Sequence, residues 1–259
     1  MRRSIAILMI AVPALLPVPA RANEKTATDV PETLAAATPE HPANFAGASL
    51  QKLDLSGFNF TRANLSGADL FGAKLVGADF TEANLSGAHL NLAWIIRANF
   101  TRADLSHASL KALVVSEGLE TKRSEVANFT GAKLRGAQVQ ARFSLFDMRG
   151  ADFSGAHMAA DMRNQSMGLM RTEFAGADLR GANFMGADLG HAVFSFARLG
   201  GANLSGANLA FADFSGADLT GADLTGADAT AADFRGATLT GAKGLATVKG
   251  PGDFALDHR

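Results

Sequence analysis

The chain has 259 residues, with 24 basic and 25 acidic side chains, 47% hydrophobic residues, 18 Phe, no Tyr and no Cys. That composition allows a substantial core and excludes wholesale disorder. Without Cys there are no disulfides, no thiol catalysis and no thiolate-held zinc, and a formal charge of −1 excludes a basic coat for nucleic acid.

The first predicted element is an export signal over 1–22. Arg2 and Arg3 precede an apolar run over 5–16, then come Pro17, Pro19 and Ala20-Arg21-Ala22. A basic start, a short apolar segment and a small-x-small site are the marks of a cleaved leader. The apolar run carries Pro13 and is shorter than the roughly 20 residues a membrane span needs, so cleavage before Asn23 is expected rather than an anchor. The expected location is periplasmic or secreted, with no stable membrane insertion after cleavage. Loss of Arg2, Arg3 and Arg21 takes the net charge from −1 to −4. Residues 23–43, broken by Pro31, Pro39 and Pro42, read as a linker or N-terminal cap with one helical turn over 33–37.

From Phe45 a large apolar residue returns every five positions: Leu50, Leu55, Phe60, Leu65 and on to Leu110, with Ile95 the one other type. The series runs again from Phe174 to Leu239, broken only by Ala229. Ala63-Asn64-Leu65-Ser66-Gly67 and Ala217-Asp218-Leu219-Thr220-Gly221 are clean copies. A period of five fits neither helix nor strand, so it describes a solenoid whose short pieces turn corners at a fixed interval. Phe60, Phe80 and Phe100 are 20 apart, as are Phe174, Phe194, Phe214 and Phe234. That spacing implies four pentapeptides per coil, with each Phe stacked on the one below and the Ala two positions earlier also inside.

The register through the irregular section, 111–173, is expected to slip to Val114, then run Leu119, Ser124, Phe129, Leu134 and Val139. A second slip leads to Phe143, Met148, Phe153 and Met158, and a third to Asn164, Leu169 and Phe174. Counted so, the repeat section 44–243 holds ten coils, a rod on the order of 48 Å long. Lys122 and Ser124 fit badly inside, so 117–126 is expected to bulge out as a loop. Residues 244–259 read as a C-terminal cap or tail, and an uncapped end would let two copies join end to end.

This pattern resembles the pentapeptide repeat family, whose motif is Ala-Asp/Asn-Leu/Phe-x-Gly. The resemblance implies an all-β fold, a right-handed quadrilateral β-helix of about ten coils, with Leu/Phe and Ala inside. A core of Leu, Phe and Ala at crystal-like density leaves no lumen, so any site lies on an outer face, a loop or an end.

Several side-chain groups bear on function. Outward Asp and Asn form columns 20 residues apart, such as Asn44, Asn64, Asn84 and Asp104. They read as corner caps rather than as an acidic strip imitating DNA, the device of some family members that protect topoisomerase. Met148, Met158, Met162, Met167 and Met170 cluster with His157. Thioethers beside His suit Cu(I), but packing of flexible Met in an irregular section is the expected role, and no cofactor is expected. Asp69, His89 and Ser109 share an outward column without forming a catalytic triad. An outer-face glycan enzyme would need longer, less regular coils. The most informative feature is apolar: Val76, Trp94, Ile96, Leu113 and Val115 fall on one face as an exposed patch. Either the 117–126 loop covers it or a protein partner does. The expected function is a non-enzymatic scaffold for protein–protein interaction, with the copper reading as the alternative.

Overall fold

The computed structural model describes residues 29–160 and 171–250. The expected signal over 1–22, the segment with Asn164 and Leu169, and residues 251–259 lie outside the described residues.

One repeat shows why five residues make one side of a coil. Leu65 points into the core and is fully buried. The Ala68 N–H donates to the Leu65 carbonyl at 3.0 Å, closing a β-turn. Gly67 has φ +64 and Ser66 does not share that sign, which is the type II turn that favours glycine at its third residue. Between turns, Asn64 pairs in parallel with Asn44 below and Asn84 above. Its N–H donates down to Ala43 at 2.8 Å, and the Leu65 N–H donates up to Asn84 at 2.7 Å. Each coil therefore satisfies its backbone mainly through its neighbours.

Four such sides close a square, and the faces are named here by their first core residues: Phe45, Leu50, Leu55 and Phe60. The Phe45-face ladder runs Asn44, Asn64, Asn84, Asp104, Lys133, Asp152, Asn183, Asn203, Asp223 and Lys243. That is nine full coils and the opening of a tenth, a rod about 43 Å long at ~4.8 Å per coil. Only β1 (Ser109–Lys111) and β2 (Gln138–Gln140), a parallel pair, extend the ladder into regular strand among the described residues.

The Phe residues stack as their spacing predicts, in two columns. Phe60, Phe80, Phe100 and Phe129 follow each other at 4.9, 5.0 and 4.7 Å. Phe174, Phe194, Phe214 and Phe234 do so on the Leu55 face at 5.0, 4.8 and 5.0 Å. The column changes face where Phe143 meets Phe146 edge-on at 5.4 Å. Phe146 fills an inward slot that Ala holds in most repeats.

Three departures from the period differ in part from the sequence register. Val114 pairs with Trp94, so Val115 is the core residue, five after Leu110, and there is no slip there. Instead the chain leaves the coil after Val115 and returns at Glu125, whose carbonyl accepts the Arg97 N–H at 2.8 Å. Leu119 is 98% exposed and Ser124 is exposed, so neither is a core repeat, and the expected 117–126 bulge is a loop that ends at the return of buried Glu125. The short step from Val139 to Phe143 falls as expected. The last departure joins Met158 on the Leu50 face to Phe174 on the Leu55 face, shown by the Arg142–Glu173 pairing. Buried Thr172 donates its hydroxyl to the carbonyls of Val139 and Met158, at 3.1 and 3.0 Å, where the ladder is interrupted.

The ends are covered. Helix α1 (Asp29–Ala35) sets buried Val30 and partly buried Leu34 on the first coil. At the other end a 3-10 turn (Leu245–Thr247) packs Leu245 against the core, and the Thr247 hydroxyl accepts the Gly226 N–H at 2.9 Å.

Candidate functional site

The slot before each core residue decides what a face shows to solvent. On the Phe45, Leu50 and Phe60 faces every described residue in that slot is polar. On the Leu55 face it holds exposed Trp94, half-buried Val114 and buried Val193 as well as charged residues. The Leu55 face is bounded by two corners, which begin at Lys52 and Gly57. All three departures from the period fall at these corners. The other two corners keep the five-residue step as far as Lys243, and only the last step, from Lys243 to Lys249 at the C-terminal cover, holds six.

The corners add apolar groups of their own. Leu92, Phe211 and Phe196 sit where the repeat normally has Gly, with φ of +60, +58 and +57. The left-handed conformation costs an L residue roughly 1–2 kcal/mol, and glycine would avoid it. All three are exposed, at 44%, 56% and 73%, so burial does not offset that cost. The Phe211 ring stacks on His191 at 4.8 Å. The Phe196 ring lies so close to Gly216 that a Cβ there would come within 2.6 Å of it. Trp94 is 41% exposed, with the Lys74 ammonium 6.0 Å from its ring. With Leu119, five of the six exposed large hydrophobics among the described residues lie on this face or its corners.

The five residues expected to form a patch separate into two groups. Trp94 and Val76 stand on the outside of the Leu55 face. Leu113 and Val115 do not: with no slip at Leu110, Val115 takes the core position and Leu113 the inward Ala slot. Ile96 occupies an outward slot yet is 1% exposed. Glu125 takes the ladder position above it and Val126 packs against the core, so the returning loop covers Ile96. Leu92, Phe196 and Phe211 were missed in the sequence. Their signal was a large apolar residue in a glycine slot, as in Phe194-Ser195-Phe196-Ala197.

The other groups resolve simply. Met148 and Met158 are fully buried core residues, His157 is exposed, and Met162, Met167 and Met170 lie outside the described residues. Among the described residues no three His, Asp or Glu side chains converge to hold a metal ion. Asp69, His89 and Ser109 occupy successive coils, and the Ser109 hydroxyl donates to Asn91 at 2.8 Å rather than to His89. The Asp and Asn columns are caps. The Ser66 N–H has no ladder partner and donates to Asn64 Oδ1 at 3.1 Å, and Thr220 does the same to Asp218 at 3.0 Å.

Four stretches, 43–75, 73–111, 169–206 and 202–241, match the family described as Pentapeptide repeats, in 8 copies. The chain belongs to the pentapeptide repeat family. Members of this family are generally structural or interaction proteins rather than enzymes. Among solved structures it is similar to HetL, a pentapeptide repeat protein involved in heterocyst differentiation regulation in the cyanobacterium Nostoc sp.. That likeness has 28% identity over 87% of this chain and 97% of HetL, with a TM-score of 0.45. QnrB1, a plasmid-mediated fluoroquinolone resistance protein, is 20% identical over 76% of this chain and 91% of its own, with a TM-score of 0.28. A pentapeptide repeat protein of the Arabidopsis thaliana thylakoid lumen is 28% identical over 48% of this chain and 67% of its own, with a TM-score of 0.18. No curated protein matches the chain. As a pentapeptide repeat protein it departs from its own motif chiefly around one face.

Proposed function

We propose that the protein is an exported, non-enzymatic pentapeptide repeat scaffold that presents its Leu55 face to another protein. One observation carries this reading. Exposed Leu92, Phe196 and Phe211 occupy strained glycine slots at the two corners of the face that also carries Trp94. Exposed apolar surface marks contact sites and aromatic anchors dominate such contacts, and here it lies at two places on one face, Leu92 with Trp94 on the third coil and Phe196 with Phe211 on the seventh and eighth. Export rests on the 1–22 segment.

Capture from periplasmic extract tests the face. Trp94→Asp with Phe196→Asp is expected to keep the β circular-dichroism signal and the melting temperature while losing the captured partner. Ile96→Asp is expected to lower the melting temperature, because that side chain is buried. Retained capture by the Trp94/Phe196 variant would remove the Leu55 face from consideration.

A further inference from the structure

Charge is not spread evenly along the Leu55 face. In the slot before the core residue, its first five coils carry Asp54, Lys74, Trp94, Val114 and Arg142, and its last four carry Glu173, Val193, Asp213 and Asp233, so both basic residues lie in the first half and three of the four acids in the second. We propose that this face joins two copies of the chain, packed antiparallel about a two-fold axis that crosses it between the fifth and sixth coils. The proposal rests on reading the face as a protein-contact surface and names its occupant.

Such an axis lies in the face, across the rod. It sets the second coil against the ninth, the third against the eighth and the fifth against the sixth, and keeps like corners opposite each other. Lys74, which is 3.9 Å from Asp54 in its own chain, then meets Asp233 of the second copy, itself paired with Arg235, and Arg142 meets Glu173 of the second copy, itself paired with Arg171. Val114 comes opposite the coil of buried Val193, and the Trp94 indole N–H comes opposite the Asp213 carboxylate. No like-charged pair arises in this slot. A shift of one coil places Arg142 against its own copy and Asp54 against Asp233, two repulsive pairs, so charge selects the register.

The corners obey the same symmetry. Leu92 lies at the Lys52 corner of the third coil and Phe211 at the same corner of the eighth, so each covers the other across the axis. At the other corner the root of the insertion carrying Leu119 falls opposite Phe196. An isologous contact requires self-complementarity of this kind. It also gives the strained apolar corners a burial they lack in one chain. A face of eight coils is about 38 Å long. The pair buries roughly 1,000 Å², the low end for specific interfaces, so a reversible dimer is expected.

Sedimentation of the purified protein across the micromolar range tests this, with a concentration-dependent dimer expected. Leu92→Asp and Phe211→Lys should each weaken it by about tenfold or more, and the double variant should recover most of that loss. Residues 92 and 211 are five coils, about 24 Å, apart in one chain and can meet only between chains. Phe211→Gly should weaken the dimer while the melting temperature holds or rises, because glycine takes a positive φ without strain. A monomer at all concentrations, a double variant no better than the singles, or a dimer indifferent to all of them, as in end-to-end pairing, would overturn the proposal. A monomer that still captures a heterologous partner would overturn the dimer and leave the scaffold reading standing.

Discussion

Asp and Asn recur before the core residue because the turn that follows has an N–H with no ladder partner. Asp218 shows the consequence for acid stability. The hydroxyl of Thr220, and then its backbone N–H, hold the Asp218 carboxyl below the usual carboxylate range. A depressed folded pKa adds stability that is full above the unfolded value of about 3.9 and is lost as pH falls through the folded one. The solenoid repeats this device at Asp54, Asp223 and Asp228, each bonded by the Ser or Thr two residues on. Thermal melts are therefore expected to fall as pH drops below about 4. Asp218→Asn should keep the neutral-pH melt and flatten its share of that fall. Asp218→Ala should lose about 1 kcal/mol at most, since the half-buried site is at the surface of the turn. At this scale the sequence was legible wherever the motif repeats. It misled at Val115, because apolar candidates for the core position stand side by side there. Leu113, Val114 and Val115 are all apolar, and only the pairing of Val114 with Trp94 fixes which of them point inward.

At the scale of one side of a coil, two phenylalanines two residues apart have opposite fates. Phe194 is fully buried and Phe196 is largely exposed. Phe214, stacked between Phe194 and Phe234, should cost about 3–5 kcal/mol on replacement by Ala, because its neighbours on both sides would border the cavity. Phe196→Gly should leave stability unchanged or raise it by up to about 1 kcal/mol, as it removes a left-handed Phe and little buried area. Chemical denaturation measures both, and equal losses would mean that inside and outside are assigned wrongly. The alternation follows from the turn: the core residue must point in for the chain to close, and the third turn residue must then point out.

For the whole molecule, stability is a sum of coil-to-coil contacts, so the ends need covers and the middle tolerates insertions at corners. An insertion at a corner lengthens a loop and leaves the ladder above and below in register. The export proposal also belongs to this scale. N-terminal sequencing of protein from the secreted fraction is expected to begin at Asn23, and an intact Met1 form confined to the cytoplasm would overturn it.

The sequence by itself determined the square solenoid, its inward Leu, Phe and Ala, and the capping role of Asp and Asn, because a strict period leaves one geometry that buries every fifth residue. It also placed the loop near 117–126, where charged Lys122 could not enter the core. Only the tertiary structure decided which face each departure from the period borders, because that depends on how many residues each corner holds. The ladder above and below counts those residues, and local sequence does not. The same pairing drew Ile96, Leu113 and Val115 out of the expected patch, left Trp94 with Leu92 at its corner, and set Phe196 and Phe211 four and five coils farther along the same face.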